Sequence, residues 1–278
     1  MSKVWMVTGA TRGIGAEIVR AALAAGDRVV ATGRNPETIL GAFADAGDAL
    51  LALPLDVTKP DQIAAAVEAA LERFGRIDVL VNNAGYGQLG LFEESGIGDA
   101  ERQFSTNVFG LFNVTRAVLP TMRTQRAGYI LNISSIAGIR GGLGGSIYCS
   151  SKFAVEGFSE SLAQEVAPFG IHVTLVEPGF FRTDFLDETS VSFGTNALDD
   201  YAEVSAQIRN GYRDRNHRQV GDPAKLASVV VDLSNRAEPP FRYAAGSDAA
   251  EVLAAKINRL TNELQATRAL SPTTDGDF

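Results

Sequence analysis

Ser135, Tyr148 and Lys152 have the side chains and the spacing of a proton-handling set. Tyr148 and Lys152 are four residues apart, which places them on one face of a helix. A free phenol titrates near about 10 and is a poor acid-base catalyst at neutral pH. A cation one turn away favours the phenolate and is expected to pull the tyrosine towards working pH. Ser135, thirteen residues before Tyr148, could hydrogen-bond a substrate carbonyl oxygen from the other side. A Tyr-x-x-x-Lys pair alone also arises by chance on solvated helix faces, so its meaning depends on what surrounds it.

Upstream lies a candidate phosphate cradle. The apolar run Lys3–Thr8 leads directly into Gly9-Ala-Thr11-Arg12-Gly13-Ile14-Gly15, and a helical pattern follows with Ile14, Ile18, Val19 and Leu23 on one face. Glycines between a strand and a helix let backbone approach a pyrophosphate, and the helix start offers unpaired N–H groups. The spacing is Gly-x-x-x-Gly-x-Gly, a departure from the Gly-x-Gly-x-x-Gly dinucleotide fingerprint. The second strand ends in Gly33-Arg34, where an NAD site usually has an acid for the ribose 2′-hydroxyl. With that acid missing, Arg12 and Arg34 are expected to bind a 2′-phosphate, which favours NADP(H) over NAD(H). The alternative for both arginines is a solvated surface charge.

The elements that must position these groups alternate along the chain. Strands are expected at Lys3–Thr8, Arg28–Thr32, Ala49–Pro54, Val79–Asn82, Gly128–Ile133, Ile171–Glu177 and Arg242–Ala245, with helices between. Such alternation predicts an α/β fold: one Rossmann-type, doubly wound parallel sheet of about seven strands. Right-handed crossovers bring all strand ends to one rim, so Gly9, Asp56, Asn82, Ser134-Ser135 and Pro178-Gly179 should gather there. With no internal repeat or linker, residues 1–278 are expected to form a single domain, with a substrate flap at 184–221.

Composition narrows the partners. A net charge of −8 opposes binding to nucleic acid or an anionic membrane. No apolar run approaches the roughly 18 residues that span a bilayer. Cys149 is the sole cysteine, which excludes an internal disulfide and suits a reducing compartment. Strand one begins too early for a cleaved signal, so a cytoplasmic location is expected. The histidines, His172 and His217, form no ligand cluster with cysteine, so no metal is expected.

Thr8-Gly-Ala-Thr-Arg-Gly-Ile-Gly15, Leu55-Asp-Val57, Asn82-Asn-Ala-Gly85, Asn107, Ser135, Tyr148-x-x-x-Lys152 and Pro178-Gly-Phe-Phe-Arg-Thr183 occur in the order found in short-chain dehydrogenases/reductases, which the chain resembles over roughly residues 3–246. The resemblance implies that Tyr148 exchanges a proton with the substrate oxygen while hydride moves to or from the nicotinamide. Lys152 would depress the Tyr148 pKa and bind the nicotinamide ribose. Ser135, by its spacing from the tyrosine, would hold the substrate oxygen rather than Ser134, and Asn107 would anchor a relay water. Gly9, Thr11, Arg12, Gly13, Ile14 and Gly15 would form the phosphate turn. Asp56 and Val57 would hold the adenine, and Asn83, Ala84 and Gly85 would line the adenosine side. Pro178, Gly179, Phe181 and Thr183 would seat the carboxamide. Taken alone, Asp56 also reads as a turn or cap residue, and Asn107 as a helix polar residue bonded to nearby backbone.

The pattern Pro178-Gly-Phe-Phe-Arg-Thr-Asp-Phe185 resembles the hydroxysteroid- and retinol-dehydrogenase-like branch. An apolar or bulky ketone or alcohol would then meet the flap aromatics Phe180, Phe181, Phe185, Phe193, Tyr201 and Tyr212, although half or more of these are also expected simply to pack the flap onto the core. The resemblance implies a homodimer or homotetramer through helices near 100–122 and 148–166. Residues 247–278 run past the usual family end. Their helical stripe Leu253, Ile257, Leu260 and Leu264 is expected to pack on the chain's own domain. Two other readings are a catalytically silent NADP(H)-sensing regulator and a nucleotide-sugar epimerase or dehydratase. The first would usually lose Tyr148 or Lys152, and the second would need a larger C-terminal domain.

Overall fold

The computed structural model describes residues 2–187 and 190–276. Flap positions 188–189 and tail positions 277–278 lie outside the described residues. In chain order the strands are β1 (Val4–Val7), β2 (Arg28–Gly33), β3 (Leu50–Pro54), β4 (Val79–Asn82), β5 (Gly87–Leu89), β6 (Gly128–Ile133), β7 (Ile171–Pro178), β8 (Val191–Phe193) and β9 (Arg242–Ala245). The helices are α1 (Gly13–Ala24), α2 (Pro36–Ala42), α3 (Pro60–Phe74), α4 (Ile97–Phe104), α5 (Leu111–Gln125), α6 (Ile136–Ile139), α7 (Ser146–Val166), α8 (Ala202–Arg215), α9 (Pro223–Ser234) and α10 (Ser247–Thr267). A π-helical turn, Ser105–Gly110, joins α4 to α5.

Seven strands form one sheet in the order β3-β2-β1-β4-β6-β7-β9, and every pairing is parallel. All seven expected strands are present, with ends within a residue or so of those read from the sequence. Side chains alternate along each strand, so each one feeds both faces. Trp5, Val7, Val29, Val81 and Leu131 join one buried cluster with residues of α1 and α9. Val4, Met6, Val30, Leu80 and Ile130 join the other, with residues of α3, α5 and α7. Burial on both faces is why these strands read as apolar runs without polar alternation.

Strand order reverses between β1 and β4, and the ends of these strands are tied together by polar groups. The Asn83 side chain donates to the carbonyls of Thr8 (2.9 Å) and Gly9 (3.0 Å), while the Thr8 hydroxyl accepts from the amides of Asn83 and Ala84. Below the rim, Asn82 donates to Thr115 and Asn132, and Asn132 donates to Ser159, which fixes β4 and β6 against α5 and α7.

Two features depart from the sequence expectation. A separate two-stranded parallel sheet pairs β5 with β8, bringing the flap down beside the rim. The C-terminal helix forms, but its stripe does not pack as expected. Leu253 is half-buried, whereas Ile257, Leu260 and Leu264 are 55, 49 and 62 % exposed. The first turns of α10 lie against the domain, where Asp248 tethers the loop after β7: its Oδ2 accepts from the Phe180 amide at 2.8 Å. Leu131→Ala in the central strand β6 should therefore cost about 2–5 kcal/mol of stability. Leu264→Ala should change it by no more than about 0.5 kcal/mol, both read from urea denaturation.

Candidate active site

Most of the sequence-derived residues line one cavity of about 1230 Å³ along the carboxyl ends of the strands. A single small-molecule site usually occupies about 300–1000 Å³, so this cavity has room for more than one ligand moiety. Following strand order, its wall passes from Arg34 and Asp56 to Gly13 and Ile14, then to Ser135, Tyr148 and Lys152, and ends at flap residues such as Phe185 and Tyr212.

The glycine turn is built for close approach. A Cβ on Gly15 would lie 2.4 Å from Asn83 Nδ2 and 2.5 Å from the Gly9 carbonyl, in the middle of the tie between β1 and β4. A Cβ on Gly33 would meet Thr11 Cγ2 at 2.6 Å, so a side chain at the position that carries the acid in NAD sites would have to displace Thr11. Arg34 lies exposed at the cavity rim beside Gly33. Arg12 also lines the cavity, but its Nη2 donates to Ser190 Oγ of the flap at 2.7 Å. Arg12 thus bridges the glycine turn and the flap while remaining on the same cavity wall as Arg34. Asp56 acts as a turn residue: its Oδ1 accepts from the amide and hydroxyl of Thr58. Burial pushes the Asp56 carboxyl up, but the Thr58 hydrogen bonds, Lys59 and Arg34 bring it below its ordinary value.

At the other end, Ser135 caps α6 by accepting from the Ala137 amide at 3.1 Å, and it lines the cavity wall together with Tyr148. Ser134 faces away, its hydroxyl donating to Glu156 Oε1. The two neighbouring serines thus have different partners, Ser134 the buried Glu156 and Ser135 the start of α6. Lys152 is buried, its Nζ donates to the Ile133 carbonyl at 2.8 Å, and it lies 5.9 Å from the centroid of the Tyr148 ring. Burial lowers Lys152 to about 8, with Glu156 working in the opposite direction. The expected fall in the Tyr148 pKa is not found. Burial holds the phenol well above its usual value, and the neighbouring Ser135 side chain offsets only part of the rise.

Asn107 sits in the π-helical turn and is not among the described residues lining the cavity. Its Oδ1 accepts from the Tyr86 amide at 3.2 Å, and its Nδ2 donates to the Tyr86 carbonyl at 3.0 Å. The side chain therefore pins the loop after β4, bonding the backbone of a segment 21 residues away rather than the nearby helix backbone. Thr183 reaches back over the glycine turn, where a Cβ on Gly13 would lie 3.5 Å from its Cβ. Pro178 and Gly179 hold the end of β7 to Ala245, while Phe181 pairs with Gly221. That last bridge closes the base of the flap.

The flap aromatics divide between the two expected roles. Phe180, Phe181, Phe185 and Tyr212 line the cavity, with the Phe185 ring 5.7 Å from Tyr148. Phe193 packs on Tyr212 under Arg209, and the Tyr201 hydroxyl bonds Glu93 at the surface. Leu89 and Val191 also line the cavity and were not read from the sequence. Their strands are three residues each, too short to show a period, and their partners lie about a hundred residues apart.

The short chain dehydrogenase family model matches residues 3–192. This chain belongs to that family. It is 41 % identical over 252 residues to oxidoreductase BOA17 of Botryotinia fuckeliana, covering 90 % of this chain and 91 % of that one. It is 38 % identical over 252 residues to a 3-ketodihydrosphingosine reductase of Bacteroides thetaiotaomicron, covering 88 % of each. A solved short-chain dehydrogenase from Streptomyces avermitilis superposes with a TM-score of 0.92 at 40 % identity, over 99 % of this chain and 100 % of that one. More distant solved members hold either cofactor. A Brucella melitensis 3-ketoacyl-(acyl-carrier-protein) reductase is complexed with NADH (TM-score 0.72, 26 % identity, 86 % and 94 % covered). A serine dehydrogenase is complexed with NADP+ (0.73, 29 %, 86 % and 92 %). The chain is thus an oxidoreductase of the short-chain dehydrogenase type.

Gly15→Ala should force the Asn83 tie apart. A loss of about 1–3 kcal/mol is expected from overpacking, seen as a lower thermal midpoint without any ligand present.

Proposed function

We propose that the protein interconverts a ketone or aldehyde and an alcohol with NADP(H), acting on an apolar or bulky substrate. The observation that carries this reading is that Ser135, Tyr148 and Lys152 line one cavity together with the glycine turn, with Lys152 Nζ 5.9 Å from the Tyr148 ring centroid. The nicotinamide supplies or takes the hydride when bound. Gly13, Ile14 and the start of α1 would hold the pyrophosphate, and Asp56, Val57 and Asn83–Gly85 the adenosine side. Lys152 would reach the nicotinamide ribose, with Thr183 near the carboxamide.

In the reducing direction the Ser135 and Tyr148 hydroxyls orient the carbonyl oxygen and stabilise its developing charge. Tyr148 then gives its proton to that oxygen, and the Lys152 ammonium stabilises the phenolate left behind. Oxidation reverses each step. Phe185, Tyr212, Leu89 and Val191 give the substrate end of the cavity an apolar wall, which supports the preference for a bulky apolar group. The absence of an acid at Gly33 and the cation at Arg34 support NADP(H) over NAD(H). A homodimer or homotetramer through the outer faces of α5 and α7 completes the reading. Phe109, in the π-helical turn before α5, and Phe153, on α7, remain exposed there.

Tyr148→Phe should lower turnover of an accepted ketone by about 10²–10⁴-fold while NADPH binding is kept. Unchanged turnover would remove the mechanism, and it separates an enzyme from a silent cofactor sensor. NADPH should be preferred to NADH by about 10–100-fold in kcat/KM, the worth of one charge-assisted contact, and Arg34→Ala should erase most of that difference. Equal efficiency with the two cofactors in the unaltered protein would refute the assignment. Ketone reduction needs Lys152 charged and Tyr148 protonated. With Lys152 lowered to about 8, activity should hold below that pH and fall as pH rises through it.

A further inference from the structure

Helix α7 carries Tyr148, Lys152 and Glu156 at successive four-residue steps, so a carboxylate follows the lysine on the same face. Glu156 is buried, with 7 % of its surface exposed. Its Oε1 accepts from Ser134 Oγ, and its Oε2 accepts from Arg242 Nη1 at 2.6 Å. The same Nη1 donates to Oε1 of Glu177 in β7. Glu177 is fully buried, and its Oε2 has no hydrogen-bond partner among the described residues. Buried Lys152, Glu156 and Glu177 and half-buried Arg242 thus place two cations and two carboxylates between α7 and the last strands of the sheet, with Arg242 paired to both carboxylates. Burying such ions costs several kcal/mol each, and apolar residues of similar volume would stabilise a core at least as well. Stability alone therefore gives no reason for the set.

A second observation lies on the opposite side of the carboxylate. A Cβ on Gly138 of α6 would lie 2.6 Å from Ser134 Oγ and 2.8 Å from Glu156 Oε1. Glycine at 138 is what leaves space for the Ser134–Glu156 contact. Ser134 in turn follows Ile133, whose carbonyl holds Lys152 Nζ. The contact that fixes Glu156 is one residue from the contact that fixes Lys152.

We propose that Glu156 is a positioning residue that keeps Lys152 in its ammonium form, and that Arg242, Ser134 and the space at Gly138 hold Glu156 in place as a carboxylate. This inference rests on the function proposed above. The charged and titratable neighbours are consistent with it. Lys152 faces Tyr148 and Glu156 on its own helix; Glu156 meets Arg242 from β9 and, through it, Glu177 from β7. Glu160 lies one turn further along α7 and raises Glu156, while Tyr212 from α8 and Cys149 act on Tyr148. The segments α6 and Ser105–Gly110 contribute no titratable group. Burial pushes Lys152 towards its neutral form, and Glu156 is the group that opposes this. Burial raises Glu156 above its ordinary value, a rise that the Ser134 hydrogen bond, Arg242 and Lys152 reduce.

The test is the pH profile of kcat for ketone reduction with NADPH, measured on the full chain and on Glu156→Gln, Glu156→Asp, Gly138→Ala and Tyr148→Phe. The competent form has both Tyr148 and Lys152 protonated, so the alkaline limb marks the first proton to leave the pair. Removing a neighbouring negative charge lets that proton leave at lower pH. The Glu156→Gln limb should therefore move down by about one pH unit. Glu156→Asp should restore it towards the unaltered position, and Gly138→Ala should shift it in the same direction as Gln. NADPH affinity measured calorimetrically at low pH should change less than about twofold in Glu156→Gln. A limb that stays in place while kcat falls by one factor at every pH would overturn the inference, leaving Glu156 a packing residue. If Glu156→Gln does not fold, Gly138→Ala decides: a fixed limb in that variant overturns the inference equally. Tyr148→Phe keeps the two readings apart. Its inactivity combined with an unmoved Glu156→Gln limb sinks only the role of Glu156, whereas full activity of Tyr148→Phe sinks the proposed function itself.

Discussion

Strands β1 and β4 are neighbours in the sheet, yet the helices that follow them lie on opposite faces: α1 in one buried cluster, α5 in the other. The chain segments leaving the two strand ends must diverge, and a crevice opens between them. Two backbone ends splayed in this way carry polar groups that need partners. Asn83 and Thr8 supply those partners across the gap, so the crevice is held at a fixed width. Gly15 has no room for a side chain because that tie passes directly beside it. Cofactor-turn geometry and sheet topology are therefore one constraint, seen from two sides.

The second half of the site rests on α7 and the way it is buried. A helix on β6 and β7 cannot carry a lysine towards the sheet without giving the ammonium a partner. The Ile133 carbonyl provides one, and the buried carboxylate of Glu156 supplies the compensating charge. The same burial that makes Lys152 sensitive to its surroundings raises the Tyr148 phenol, so acid-base behaviour here reflects the whole polar cluster more than the Tyr–Lys pair. The flap is held over this region by the β5–β8 pairing, by the Phe181–Gly221 bridge at its base and by the Arg12–Ser190 hydrogen bond.

The sheet was legible from the sequence because each strand is buried on both faces and so reads as an unbroken apolar run. Val79–Asn82 and Gly128–Ile133 fall where the run predicts. The glycine turn, Ser135, Tyr148 and Lys152 were legible for a similar reason: each is local, its meaning carried by neighbours within a few residues. The contact of Arg12 with Ser190 was not legible because the two are 178 residues apart. The stripe on α10 was misjudged because periodicity shows that a helix has an apolar face and says nothing of what lies opposite. Asn107 shows the same limit, since the Tyr86 backbone that engages it arrives from another segment.

By itself, the sequence determined the strand-helix alternation, the order of the motifs and the residue types able to handle a proton, since these depend on patterns a few residues long. The tertiary structure alone decided which of those groups share a cavity, which serine faces the tyrosine, and that Glu156, Glu177 and Arg242 meet beneath Lys152. The reason is physical: hydrogen bonds and charge pairs act over a few ångströms in space, and only the folded sheet brings residues 134, 156, 177 and 242 within that distance.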